Sequence, residues 1–172
     1  MSKLDILLVP HPALKARAKP VAAVDDRVRR LMDDMLETMY DAPGIGLAAP
    51  QVGLLERVLV IDVANKDEEP QPLRMANPEI LWASEDLATY NEGCLSLPEQ
   101  YADVTRPAEV KVRYLNENNA SKTLHAKDVL ATCVQHEIDH LDGILFTDHL
   151  SLMKRNMILR KLAKWRKGQT AA

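Results

Sequence analysis

Two histidines four residues apart, with a glutamate beside the first, make His136-Glu137-Ile138-Asp139-His140 the stretch of this chain best equipped for chemistry. On an α-helix, positions i and i+4 stack on one face about 6 Å apart along the axis, so both imidazoles can reach one cation. Glu137 then sits where it can accept a proton from water that the cation has acidified. The flanking turns are largely apolar, and unpaired imidazoles or carboxylates there would cost desolvation energy unless a metal or hydrogen bonds met them. That argues against two ordinary histidines that merely fall four apart.

The helix that must carry this motif is legible. From Asp128 through Val129, Leu130, Ala131, Thr132, Cys133 and Val134 the segment is apolar and periodic, and Gly143 supplies a C-terminal stop. Two imidazoles leave a catalytic centre one ligand short, because such sites offer three protein ligands and one open position. The peptidase pattern HExxHxxGxxH fails at Phe146, which stands where its last histidine belongs, and no glutamate follows His140. Asp142, Asp148 and His149 remain available. Cys133 shares the His136 face but lies seven residues from His140, about 10 Å along the axis, too far for one ion. The other cysteine, Cys94, lies in Tyr90-Asn91-Glu92-Gly93-Cys94-Leu95-Ser96-Leu97-Pro98, where alternation puts Tyr90, Glu92 and Cys94 on one face of an extended segment. A thiolate suits zinc or ferrous iron, although a free cysteine is more often a small buried apolar residue.

Gly44-Ile45-Gly46-Leu47-Ala48-Ala49 matches the dinucleotide fingerprint G-x-G-x-x-A, but that fingerprint needs a strand before it and a helix after it. Here a helix precedes it: Asp25 can cap a segment in which Val28, Leu31, Met32, Met35, Leu36 and Met39 repeat at three and four. Pro50 and Gly53 interrupt any helix that follows. The loop therefore reads as the wall of a cleft, with glycines that let another backbone approach and Gln51 offering a side-chain amide.

Gly44-Ile45-Gly46-Leu47-Ala48-Ala49-Pro50-Gln51, Glu92-Gly93-Cys94-Leu95-Ser96 and Gln135-His136-Glu137-Ile138-Asp139-His140, in that order, resemble the three signature motifs of peptide deformylases. The resemblance runs from Pro10-His11-Pro12 to the last helix. It implies that Cys94, His136 and His140 hold one divalent ion, Fe2+ with Zn2+ or Ni2+ able to substitute. It further implies that Glu137 moves the proton while water attacks the formyl carbon of an N-formylmethionyl nascent peptide. The Gln51 amide and the Leu95 backbone N–H would stabilise charge on the formyl oxygen; losing one such donor typically costs about 3 kcal/mol of barrier. Cys133 and Val129 fall at i−3 and i−7 from His136, and Tyr90 shares a strand face with Cys94, so these would line a slot suited to an unbranched methionine side chain. Plain core packing is the competing reading of Val129. The resemblance adds Ile45 to that pocket, and hydrogen bonds from an extended peptide to the backbone at Ile45, Gly46 and Gly93. Arg106 is a candidate partner for Glu92, and Tyr101 stands where some relatives carry arginine near the cleft mouth.

At 172 residues and 47% hydrophobic content the chain suits one domain, 1–172. Strand signals at Arg57 to Val63, around Met75 to Leu81 and at Val110 to Leu115, with helices before and after, read as α+β. The resemblance adds antiparallel β-sheets wrapped around the metal-binding helix and a long C-terminal helix. Asp5 breaks the apolar run of Met1 to Val9 and no cleavage site follows, no stretch could span a membrane, and two cysteines form no disulfide framework; together these point to the cytoplasm, with neither membrane nor DNA as partner. The net charge of −3 is uneven: residues 148–172 carry +6 and the remainder −9. On the expected basic helix 149–167, Leu150, Met153, Met157, Ile158, Leu162 and Trp165 can form an apolar stripe with a basic face outward, and the resemblance associates this helix with the ribosome. A general zinc metallopeptidase and a non-catalytic deformylase-like binding module are the alternative functions. Glu137 argues against the second, since binding alone needs no base.

Overall fold

The computed structural model describes residues 2–171; Met1 and Ala172, the ends of the expected domain, lie outside the described residues. The first helix, α1 (Asp26–Asp41), begins where Asp25 Oδ1 accepts a hydrogen bond from the Val28 N–H at 2.9 Å, and every apolar residue of its expected stripe is buried. Its buried face lies on an antiparallel sheet ordered β1-β2-β3-β6-β7, formed by β1 (Gly46–Ala48), β2 (Val58–Ile61), β3 (Leu73–Ala83), β6 (Glu109–Leu115) and β7 (Ser121–Lys127).

The second helix, α2 (Asp128–Leu141), covers the opposite face of that sheet. This explains why β2 is four consecutive apolar residues rather than an alternating strand: Val58 and Val60 pack with α1, while Leu59 and Ile61 pack with Ala131, Val134 and Ile138 of α2. Each such side chain, fully buried, contributes about 1.5–3 kcal/mol. β7 closes the sheet as a polar edge strand with a single buried residue, Ala126, which is why its sequence carries no strand signal.

A separate hairpin, β4 (Leu87–Cys94) with β5 (Leu97–Pro107), lies against α2 from another side. The second helix is thus enclosed by antiparallel sheets, as the α+β expectation has it. The chain leaves α2 at Gly143, whose φ of 75° suits glycine and where an added Cβ would meet the Lys15 carbonyl oxygen at 2.5 Å.

The last helix, α3, runs over Leu152–Ala171 rather than 149–167; His149 ends a short 3-10 turn at Phe146–His149. Four of the six residues of its expected apolar stripe pack against the body and two do not. Ile158 and Leu162 are buried, with Leu150 and Trp165 partly buried against the same cluster of Val9, Leu14, Leu97 and Phe146. Met153 and Met157 are 74% and 43% exposed. At about 100° per residue those methionines point away from the line through Ile158, Leu162 and Trp165. No helix among the described residues is long and apolar enough to cross a membrane.

Candidate metal centre and cleft

Burial of α2 forces its polar side chains to find partners. His136 and His140 lie 8% and 1% exposed with ring centroids 5.0 Å apart. Cys94, the last residue of β4, brings its Sγ to 3.3 Å from His140 Nε2, and one donor atom from each of Cys94, His136 and His140 lies within 4.8 Å of the others. A register shift between Gly93 and Cys94 sets this turn. The other possible third ligands are engaged elsewhere: Asp142 with Arg57 at 3.0 Å, Asp148 with Lys15 at 2.6 Å, and His149 with Asp139 at 2.8 Å. Cys133 Sγ instead faces the Ile45 carbonyl at 3.7 Å.

Orientation of the first imidazole comes from Glu92. Its Oε1 lies 2.9 Å from His136 Nδ1, so that nitrogen donates to the carboxylate and Nε2 is left to act as a ligand. Arg106 grips the same carboxylate at 2.7 and 3.0 Å and extends its remaining nitrogen to Asp139 at 2.8 Å. Burial works to raise the Glu92 pKa, but His136 and Arg106 outweigh it and hold it below the usual carboxylate value. Burial likewise works to lower His136, but hydrogen bonds with Cys94 and Glu92 raise it well above the usual value. His140 is shifted the other way, well below the usual value, by burial and by the neighbouring His136 and Arg106.

Gln51 sits at the end of the glycine loop in a 3-10 turn, Ala49–Val52. Its Oε1 accepts from the Ala48 N–H at 3.0 Å, and its Nε2 lies 3.1 Å from Ser96 Oγ and 3.5 Å from Cys94 Sγ. Glu137 is 3% exposed, and burial pushes its pKa up to about 7. Its Oε1 and His140 Nδ1 are buried without a hydrogen-bond partner. The loop passes so close that a Cβ on Gly46 would lie 2.6 Å from Glu137 Oε2. A thiol and two imidazoles converging beside an unpartnered carboxylate fit a divalent transition metal in both donor type and geometry.

These groups open onto a cleft of about 820 Å³. Every candidate site residue except His140 lines it: Gly44, Ile45, Gly46 and Gln51 on the loop, Tyr90, Gly93, Cys94 and Leu95 on the hairpin, Val129, Cys133, His136 and Glu137 on α2. His140 lies beneath. Val129 is 42% exposed and faces the cleft rather than the core.

Residues 3–156 match the Polypeptide deformylase family. The chain belongs to that family. It is 57% identical over 168 residues to the peptide deformylase of Phenylobacterium zucineum, covering 98% of this chain and 99% of that one. The peptide deformylase of Agrobacterium fabrum is 54% identical over 164 residues, covering 95% and 96%. A crystal structure of peptide deformylase from Ehrlichia chaffeensis superposes with a TM-score of 0.94 at 37% identity, covering 98% of this chain and 99% of that one. A second, in complex with actinonin, gives a TM-score of 0.91 at 40% identity, covering 95% and 98%. This deformylase is therefore a hydrolase that removes the N-formyl group from nascent polypeptides, and its family is metal-dependent.

Two features of the deformylase cleft escaped the sequence. The chain of contacts from Glu92 through Arg106 and Asp139 to His149 joins four elements, and only its first pair was suggested by residue type. Ser96, fully buried, holds the Gln51 amide. Its position two residues after Cys94 was the available signal. Tyr101, 65% exposed, lines the cleft with its ring against Gly93.

Proposed function

We propose that this deformylase works as one catalytic domain in which Cys94, His136 and His140 hold a divalent ion. Fe2+ is the physiological choice and Zn2+ or Ni2+ can substitute, since thiolate and imidazole serve all three. When bound, such an ion supplies Lewis acidity, lowering the pKa of water toward about 7. Glu137 takes the proton of the attacking water and delivers it to the leaving amine, so that formate and a free N-terminal methionine depart. A pKa of about 7, raised by burial, suits a group that must both accept and give a proton near neutrality.

The Gln51 amide and the Leu95 N–H receive the charge that develops on the formyl oxygen. Ser96 and the Ala48 N–H hold the amide in place before substrate arrives. Tyr90, Val129, Cys133 and Ile45 take the methionine side chain, Gly44 forms the wall beside them, and an extended peptide bonds to the backbone of Ile45, Gly46 and Gly93. Lys154, Arg160, Lys161 and Lys164 are exposed on α3 and form a basic surface for the ribosome, in the cytoplasm where nascent chains emerge.

The observation that carries this reading is one atom set: three soft or borderline donors within 4.8 Å of one another beside a buried, unpartnered Glu137 oxygen. Protein purified without oxygen should contain one equivalent of iron and release formate from formyl-Met-Ala-Ser. Glu137→Gln should lower turnover by about 10²–10⁴-fold while retaining the metal. Surviving turnover would remove Glu137 from the mechanism, and internal cleavage of a longer quenched peptide without formate would favour a general peptidase.

A further inference from the structure

A second cavity, of about 480 Å³, lies between the N-terminal segment and α3 and shares no lining residue with the catalytic cleft. Its size falls within the range of about 300–1,000 Å³ found for small-molecule sites. Leu14, Leu145 and Leu162, all buried, form an apolar floor. Lys15, Arg155, Arg166 and Lys167 line it as well, and among the described residues no aspartate or glutamate does.

The nearest acid is already shared. Asp148 Oδ2 accepts from Lys15 at 2.6 Å and from the Leu145 N–H at 2.9 Å. Arg155 Nε lies 3.7 Å from Asp148 Oδ1, beyond hydrogen-bond reach, and it is buried without a hydrogen-bond partner. Although that Nε is covered, the Arg155 side chain as a whole is 39% exposed and lines the cavity beside the apolar floor, and a carboxylate is the group whose shape and charge match a guanidinium edge. We propose that this cavity binds a small apolar carboxylate, with its hydrocarbon on the leucine floor and its head at Arg155. Such a ligand would bridge the N-terminal segment and α3, which Arg166 already ties together through the Val9 carbonyl at 2.7 Å.

Trp165 packs partly buried against the same apolar cluster, so in a Trp82→Phe background it is the sole tryptophan and a local reporter. Titrating the metal-loaded protein with decanoate should give a saturable change in Trp165 emission. Decanol should bind about tenfold more weakly, and decyltrimethylammonium should give no saturable change. Arg155→Gln should weaken decanoate about tenfold and leave decanol unchanged, while Ala163→Phe, which fills the cavity from α3, should abolish both. Equal affinity for decanol and decanoate, or an unchanged decanoate affinity in either variant, overturns the proposal. So does competitive inhibition of formate release by decanoate, which would put the ligand in the catalytic cleft.

Discussion

The two helices of the C-terminal half solve opposite problems. The 14 residues of α2 include ten buried ones, among them Thr132, Gln135, His136, Glu137 and His140, whereas the longer α3 buries only Ile158 and Leu162 among its described side chains. Polar groups inside a protein must be matched by named partners, so α2 can be substituted at few positions without leaving something unpaired. On α3 most of the described side chains are exposed to water. The contrast predicts where single substitutions will be severe and where they will be silent.

The largest effect on stability should come from Arg106, which is 5% exposed and serves both Glu92 and Asp139. Arg106→Met leaves the buried Glu92 and the half-buried Asp139 without their shared cation, and breaking a buried pair such as Arg106–Glu92 costs about 3–5 kcal/mol. Thermal denaturation should show a large fall in Tm. Metal affinity, measured by competition with a chelator, should fall about 10–100-fold because His136 loses the group that steadies Glu92. An unchanged metal affinity in folded variant protein would mean that Glu92 holds the imidazole unaided.

Gly46→Ala tests the close packing at the cleft rather than its charge. An added Cβ would lie 2.6 Å from Glu137 Oε2 and 2.9 Å from Cys133 Sγ, so the carboxylate must move while the fold need not. Formate release should fall by about 10²-fold, the usual consequence of displacing a reacting group by about 1 Å, with little change in Tm. A large loss of Tm with normal kcat would show that the loop, and not Glu137, gives way.

Asp148 lies between these extremes, on the short turn that leads into α3. Burial works to raise its pKa, but the Leu145 N–H and Lys15 outweigh it and hold the carboxyl below its usual value. A depressed folded-state pKa stabilises the protein above the unfolded value of about 3.9, and that contribution is lost as pH falls through the folded value. Asp148→Asn should therefore cost about 1 kcal/mol at neutral pH. The Tm difference from the parent should narrow below about pH 4; a constant difference would place the effect in packing instead of charge.

The same contrast explains what could be read from the chain. The site was legible because its residue types are few and their spacing is local: His136, Glu137 and His140 share one helix, and Glu92 and Cys94 one strand. Cys94 as the third metal donor needed either the family resemblance or the fold, since nothing in the spacing from Cys94 to His136 indicates that β4 ends above α2. The strands β2, β3 and β6 announced themselves through apolar residues. β7 did not, because an edge strand with one buried side chain carries almost no hydrophobic pattern. On α3, the expected stripe failed at Met153 and Met157, which the helical rotation turns away from the face carrying Ile158, Leu162 and Trp165.

Those two methionines give the smallest and sharpest test of the comparison. Leu152, Met153 and Met157 are all exposed, and the angle of about 100° per residue turns Met153 and Met157 away from Ile158 and Leu162. Replacing both methionines by lysine removes no buried contact and leaves no unpaired group, so stability should change by no more than about 0.5 kcal/mol per site. Formate release from a short peptide should be untouched, since neither residue lines the cleft. A clear fall in Tm would mean that this face is covered in solution, and the resemblance of α3 to a freely solvated helix would end there. If stability holds, the exposed methionines are open to a partner. Ribosome co-sedimentation of the same variant against Lys161→Glu/Lys164→Glu would then separate an apolar contact from a purely electrostatic one, because only the latter weakens steeply with salt.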